Sequence, residues 1–287
     1  MWSLLRASAV ILLLTLNLVV CSTLAFCTYA INYLTNKLLD RYCSYLLDAL
    51  VFIHAYIIRL VLHYVCGVMI IHNTDEAIDP MGQYTIMANH QSHMDILMLI
   101  AFGVGKLPPL KFFLKRSLMY VPFMGWFCYL MGYPFVDRFS KGQLRQASQR
   151  TQQQQALLRD CHALFTQPVG LVVFVEGTRF SVKRANKYRY THVLPPQSKG
   201  LALALSSQAS PRLLNITMAY DKPNISVWQV LSGQVRRVVV TMVEEDVRVP
   251  NLSNQEDMKG LHDWLVDKWL QKDAYLVQRY DQVEVVT

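Results

Sequence analysis

The sequence predicts an α/β layered domain carried behind N-terminal membrane helices. Three observations point there. The 287-residue chain is 53% hydrophobic and only 17% charged, against about 25% charged in an average soluble domain. Its N-terminal part holds an uncharged run, Ala7–Asn36, longer than the roughly 20 residues that cross a bilayer as a helix. Beyond Asn73, buried-strand patterns alternate with helical ones, the pattern of layered α/β folds.

Ala7–Asn36 reads as an uncleaved anchor. Arg6 followed by Val10–Val20 would suit a secretory signal, but the apolar stretch is too long and no A-x-A site follows it. A second apolar segment, Tyr42–Ile71, carries Asp48, His54, Arg59 and His63. Those groups make a full crossing costly, so this segment reads as a helix lying in the interface or packed on the first. Lys37, Asp40 and Arg41 between the two are too mixed in sign to orient them.

The globular part follows in order. Tyr84–Ala88 reads as a short buried strand, and Leu171–Val175 is a continuous apolar run suited to a strand covered on both faces. Leu213–Ala219 and Val235–Val243 are further strands. Helical patterns occupy Asp95–Val104, Lys141–Phe165 and Gln197–Ser206. A last helix is expected after Ser253, which with Glu256 makes a capping box. Its stripe of Leu261, Trp264, Leu265, Trp269 and Leu276 reads as core packing rather than a partner surface. The glutamine run Gln152–Gln155 carries no functional reading.

The net charge of +8 implies an anionic partner. Nucleic acid is excluded as the weakest choice, since no zinc-finger spacing, ribonucleoprotein motif or basic heptad region occurs. Arg138–Arg189 holds ten Lys or Arg against Asp160 and Glu176 alone. That stretch reads equally as a face for anionic lipid and as a solvated helix and loop. The six cysteines form no CxxC pair, which argues against a disulfide framework and a metal site and fits a reduced compartment.

Chemistry is expected where the first strand ends, in Asn89-His90-Gln91-Ser92-His93-Met94-Asp95. His90 is a candidate base, and Asp95 a carboxylate that orients it. Residues five apart on one helix point roughly 140° away from each other. The two side chains therefore meet only if a helix starts between them. Ser92 as N-cap would put Asp95 at the third helical position, leaning back toward His90. Taken alone, the same residues make an ordinary capping box beside a loop histidine.

Phe174-Val175-Glu176-Gly177-Thr178-Arg179 follows a second buried strand. Gly177 admits close approach to the backbone, its amide or that of Thr178 can donate to an anion, and Arg179 offers a fork that suits phosphate. Arg138, after Gly132-Tyr133-Pro134-Phe135-Val136-Asp137, and Lys115 are further candidate cations; each alone reads as well as a surface ion pair. Together with the His–Asp pair they suggest a site that grips a phosphate monoester while a nearby hydroxyl is activated.

These residues carry a resemblance. The chain resembles the glycerolipid acyltransferases typified by bacterial 1-acylglycerol-3-phosphate acyltransferase. Their N-H-x4-D motif matches Asn89–Asp95, G-x-x-F-[aliphatic]-D-R matches Gly132–Arg138, and F-x-E-G-T-R matches Phe174–Arg179. A proline-bearing fourth motif falls at Val193–Pro196. Leu194–Leu205, Leu214–Tyr220 and Leu231–Val240 look closest to the YihG-type bacterial inner-membrane subgroup. Two departures stand out. Pro134 occupies a position that is usually aliphatic, and LPPQSKG looks more like the LPxxxKG of lysophospholipid-remodelling members.

The resemblance implies a mixed sheet flanked by helices. It divides the chain into an anchor and interfacial helix, 1–72, and an acyltransferase domain with a C-terminal helix, 73–287. It implies that His90 is the base and Asp95 its partner, that Lys115, Arg138 and Arg179 bind the acceptor phosphate, and that Glu176, Gly177 and Thr178 shape the acceptor site. Pro195 would border the acyl donor, which would be acyl-CoA or acyl-acyl-carrier protein, with no cofactor. The implied reaction acylates 1-acylglycerol 3-phosphate to phosphatidic acid at the bacterial inner membrane, with the site facing the cytoplasm. Acylation of another lysophospholipid is the alternative, as is a non-catalytic lipid-binding protein. A covalent acyl-serine route is disfavoured, since Ser92 is engaged as a cap and no G-x-S-x-G elbow occurs.

Overall fold

A computed structural model describes residues 2–73, 78–136 and 147–284. It opens with a helical hairpin. Helix α1, Trp2–Leu34, reverses through left-handed Asn36 and Lys37 into α2, Asp40–Leu60. Helix α2 then runs into a π-helical turn, Val61–Val65. Trp2–Leu34 and Asp40–Val65 are both long and apolar enough to cross a membrane, by length and composition. The second helix packs on the first, as expected. Its helical course stops short of Ile71, however. Gly67 turns the chain with a φ of +72°, and Met69–His72 becomes strand β1. The β-branched pair Ile70 and Ile71 suits a ladder better than a helix.

The strand and helix order then follows. Strand β2 is Gln83–Ala88 and α3 is Met94–Gly103; β3 is Leu110–Phe112 and β4 Leu114–Lys115. A 3₁₀ turn, Arg116–Tyr120, precedes α4, Met124–Leu130, and β5, Phe135–Val136. Helix α5, Ala147–Leu164, leads to β6, Val169–Phe174, then α6, Val182–Ala185, and α7, Ser198–Leu205. The chain closes with β7, Leu213–Tyr220; α8, Val227–Leu231; β8, Arg237–Glu245; and α9, Gln255–Glu284. Six strands form one sheet in the order β1-β8-β7-β2-β6-β3, and β4 and β5 form a small parallel ribbon. Only the β7–β8 pairing is antiparallel, so the sheet is mixed, as expected. The short strands β1 and β3 escaped the sequence reading because their few residues carry no period.

Both faces of the sheet are covered. Along β2, Ile86 joins one apolar cluster with Met98, Leu99 and Phe102 of α3, while Met87 joins the other with Leu201 and Leu205 of α7 and Leu265 and Trp269 of α9. Alternate side chains of a strand point to opposite faces, which is why a central strand needs an unbroken apolar run. The first cluster also takes Ala7 and Val10 from α1, and Ile58, Val61 and Leu62 from the second helix. The base of the hairpin is thus part of the core. Helix α4 packs on its middle, where Cys21, Ala25, Leu50 and Phe127 form a third cluster and Ser22 Oγ donates to the Phe123 carbonyl at 2.9 Å.

Two expected helix starts shift. At α9 the side chain of Asn254 accepts the amides of Glu256 and Asp257, at 2.9 and 3.5 Å, and takes the capping role expected of Ser253. The Ser253 amide is drawn to Asn251 Oδ1 instead. At α3, His93 holds the cap position and Asp95 is the second helical residue. The apolar stripe of α9 does face the core, with Leu265, Trp269 and Leu276 fully buried.

Trp269→Ala would open a large void beneath the sheet. The expected loss is about 3–5 kcal/mol. Thermal unfolding of the full chain in detergent checks it, and a shift no larger than that of an exposed control such as Trp228→Ala (45% exposed) would contradict this account of the core.

Candidate functional site

The site forms where β2 and β6 end side by side, with Ala88 paired to Phe174. After β2 the chain leaves the sheet through Asn89, whose buried amide bonds both backbone groups of Met218 on β7, at 3.0 and 2.9 Å. That clasp fixes where the next residue starts. His90 Nδ1 lies 3.0 Å from Asp95 Oδ2. Oδ2 also accepts the Ser92 amide at 2.8 Å, and Ser92 Oγ accepts the Met94 amide at 3.3 Å. The helix start therefore does bring His90 and Asp95 together, though one residue later than the spacing suggested.

Asp95 is completely buried, whereas the His90 side chain keeps 13% of its surface exposed. The second carboxylate oxygen of Asp95 accepts the phenol of Tyr220 at 2.5 Å. Burial and the adjacent Asp95 charge raise that phenol far above its usual range, so Tyr220 stays a donor. The His90 ring stacks on Phe174, with centroids 4.0 Å apart. With Nδ1 turned to Asp95, Nε2 is the ring nitrogen left to act outward.

Glu176 has a different place from the one expected. It is 2% exposed, and its two oxygens accept the amides of His90 at 3.0 Å and Leu194 at 2.9 Å. It braces the His90 loop to the proline-bearing loop. Gly177 adopts a φ of +64°, and a Cβ there would press on the Gln197 side chain at 3.2 Å. The left-handed turn and that close approach together favour glycine. Pro195 is half-buried on the proline loop, and the Gln197 amide bonds the Val175 carbonyl at 2.7 Å.

A cavity of about 450 Å³ opens beside the pair, lined by His93, Thr178, Arg179, Arg184 and Ser226 among others. His90 is not part of its wall; the neighbouring Gln91 and Ser92 are. Arg179 is exposed at this cavity, and burial, with the Arg179 charge second, lowers the His93 pKa. Arg184 donates to Thr178 Oγ1 at 2.6 Å. Lys115 stands exposed on the β4–β5 ribbon, outside the lining of this cavity. Arg138 lies outside the described residues. Among the described residues, no group of three or more His, Cys, Asp or Glu side chains gathers to hold a metal ion.

Several supporting residues carry no motif. Tyr220 ends a buried strand, where a polar residue was a usable sign. Arg184 gave none. The other three come from α9: Asp273 accepts the amides of Thr191 and His192, at 2.8 and 2.7 Å; Tyr280 pairs with Gln91; and Lys272 donates to the Ile216 carbonyl at 2.8 Å. Polar residues on an apolar helical stripe were the sign to look for.

Comparison with known proteins bears on the family and the fold. The family model described as Acyltransferase matches residues 70–210. The chain is 30% identical over 223 residues to 1-acyl-sn-glycerol-3-phosphate acyltransferase 2 of Brassica oleracea, covering 70% of this chain and 53% of that protein. It is 38% identical over 98 residues to the 1-acyl-sn-glycerol-3-phosphate acyltransferase of Saccharomyces cerevisiae, or 33% of this chain and 28% of that one. The chain thus spans about half the length of the plant relatives it matches. The crystal structure of the 1-acyl-sn-glycerophosphate acyltransferase PlsC of Thermotoga maritima shares the fold: TM-score 0.50, 17% identity, 91% of this chain and 96% of that one. The chain belongs to the acyltransferase family. Its plant and yeast relatives are glycerolipid acyltransferases, and the fold is the one PlsC has.

The buried brace makes stability depend on pH. Burial raises the Glu176 carboxyl from 4.5 to about 8, against the pull of the His90 and Leu194 amides and of the Lys272 charge. Burial lowers Lys272 from 10.5 to about 7, against the pull of Glu176 and Glu245. A raised carboxyl contributes stability in full below pH 4.5 and loses it as pH rises through about 8. A depressed amine contributes in full above pH 10.5 and loses it as pH falls through about 7. Glu176→Gln should therefore flatten the falling limb of a stability–pH curve, and Lys272→Met the rising one. Thermal unfolding across that range measures both, and an unchanged curve in Glu176→Gln would contradict the assignment.

Proposed function

We propose that this protein transfers a fatty acyl group from acyl-CoA or acyl-acyl-carrier protein to the free hydroxyl of 1-acylglycerol 3-phosphate, giving phosphatidic acid. The observation that carries the reading is the His90–Asp95–Tyr220 chain set beside a cationic cavity. His90 Nε2 takes the proton of the acceptor hydroxyl as its oxygen attacks the thioester carbonyl. Asp95 holds Nδ1–H and steadies the imidazolium. The tetrahedral intermediate collapses, the C–S bond breaks, and the departing thiolate takes the proton back from His90. No acyl-enzyme and no cofactor are needed.

Arg179 and Arg184 would grip the acceptor phosphate, with Arg138 and Lys115 completing the charge, and Thr178 would position the Arg184 fork. Glu176 and Gly177 act as shape: one fixes two loops, the other lets a ligand approach the backbone. Pro195 would border the donor. The apolar hairpin would hold the chain on a phospholipid bilayer, with the site on the cytoplasmic side where acyl thioesters reside. Placement in a bacterial inner membrane rests on the subgroup resemblance alone. The LPPQSKG loop favours, as a second reading, a different lysophospholipid acceptor; a panel of lysophospholipids with labelled acyl-CoA separates the two.

His90→Ala should lower turnover by roughly 10²–10⁴-fold in protein that still folds, since the Ser92 amide and the Tyr220 phenol continue to hold Asp95. Asp95→Asn should also be slow. Near-normal turnover in folded His90→Ala protein would remove the mechanism.

Arg179→Ala should raise the acceptor KM about ten- to a hundredfold, the worth of one charge-assisted hydrogen bond. A monoacylglycerol, which lacks the phosphate, is the control. It should be a poor acceptor for the wild type and lose little more in the variant. If it serves as well as lysophosphatidate, the phosphate assignment is wrong.

A further inference from the structure

A second cavity, of about 400 Å³, sits where the hairpin meets the domain and shares no lining residue with the one beside His90. Its wall includes Tyr56, Arg59, His63 and Tyr64 from the second helix and Lys106 from the turn after α3. It contains no carboxylate. Tyr56, Arg59 and His63 follow helical spacing, so they share one side of the helix. The π-helical turn at Val61–Val65 widens the helix at this level, a distortion frequent at functional sites. His63 and Tyr64 are both exposed there, with their rings 4.6 Å apart.

Two cations point into the same space without an acid to neutralise them. Arg59 donates one bond, to the Val104 carbonyl at 3.3 Å, and its guanidinium has five N–H donors in all. Lys106 Nζ lies over the Phe102 ring, 5.2 Å from its centroid. Among the described residues neither forms an ion pair. Burial and the Arg59 charge both lower the Lys106 pKa, as expected of two like charges held together. Capping of the α3 carbonyls accounts for one of these contacts and leaves the rest of the donors unused.

The surroundings indicate which anion. From this cavity the exposed apolar face of α2 runs on through Tyr56, Ile53 and Phe52, and the Phe52 and Tyr56 rings stack at 6.2 Å. Tyrosines at the junction of an apolar helix and a polar domain mark the headgroup level of a bilayer, and cations there attract anionic lipid. We propose that this cavity binds the phosphate headgroup of an anionic phospholipid, whose acyl chains lie along the exposed face of α2. The site is separate from acyl transfer and does not depend on that reading.

The test uses full-length protein in nanodiscs of phosphatidylcholine doped with phosphatidylglycerol, with retained lipid counted by native mass spectrometry. Wild type should keep a phosphatidylglycerol, and R59Q/K106Q should hold it at least about tenfold more weakly. K106Q alone, which breaks no hydrogen bond, should weaken it in the same direction, and the charge-retaining pair R59K/K106R should restore it. R179Q, at the other cavity, should keep the lipid. Unchanged retention in R59Q/K106Q and K106Q would overturn the proposal. So would displacement by millimolar inorganic phosphate, which would assign the cavity to a soluble anion. Loss of the same lipid in R179Q would place it in the acceptor site instead.

Discussion

The carboxylate of Asp95 has no access to water and must find all its partners inside the protein. It finds three: the His90 imidazole, the Ser92 amide and the Tyr220 phenol. Leaving a buried charge without a partner costs about 3–5 kcal/mol. Much of the surrounding architecture can be read as meeting that demand. Helix α3 has to begin close to Ser92, because only an amide at that turn reaches Oδ2. Strand β7 has to extend as far as Tyr220, because a shorter strand would leave Oδ1 bare. The Asn89 clasp on Met218 fixes the register between these two groups.

Glu176 repeats the arrangement at the end of the neighbouring strand. Two buried carboxylates, one in the first turn of α3 and one in the loop after β6, would repel if both were solvated only by each other. Here each takes backbone amides, and Lys272 from α9 supplies opposite charge on the far side. The result is a rigid floor under His90. A base positioned this way needs little rearrangement as charge develops on the imidazole, which is the physical advantage of a preorganised site.

The parts legible in the sequence were those with a repeating or local physical cause. Largely apolar runs marked β2, β6, β7 and β8, since a strand covered on both faces buries most of its side chains; Thr85 and Thr217 are buried exceptions. Spacing around Ser92 showed that His90 and Asp95 could meet, because helix geometry limits the options to one. What failed were choices among near-equal neighbours: Asn254 rather than Ser253 as a cap, and His93 rather than Ser92 at the cap position. Partners distant in sequence left only indirect signs, a polar residue on a buried strand or stripe with nothing to say what it meets. Nothing near Asp95 points to Tyr220, which lies 125 residues on. The two amide bonds of Glu176 were not foreseen either. A carboxylate in a glycine-bearing loop suggests contact with a ligand, whereas the structure turns it inward to two amides.

The C-terminal helix takes this reasoning furthest. The family match ends at residue 210, and α9 begins at Gln255. Yet α9 supplies Lys272 opposite Glu176, Asp273 to the amides ahead of the proline loop, and Tyr280 to Gln91. The bonds of Asp273 and Tyr280 reach loops next to or within a motif, while Lys272 bonds the Ile216 carbonyl of β7 and acts on Glu176 by charge. The motif loops are short, lie outside the sheet and cannot satisfy their own backbone groups. Some element had to cross the ends of the strands and donate or accept on their behalf. A long amphipathic helix does this economically, since one apolar stripe anchors it while a few polar residues on the same stripe meet the loops. The chemistry-bearing segment is therefore not self-sufficient. Its geometry depends on an acid, an amine and a phenol set along the buried face of that helix.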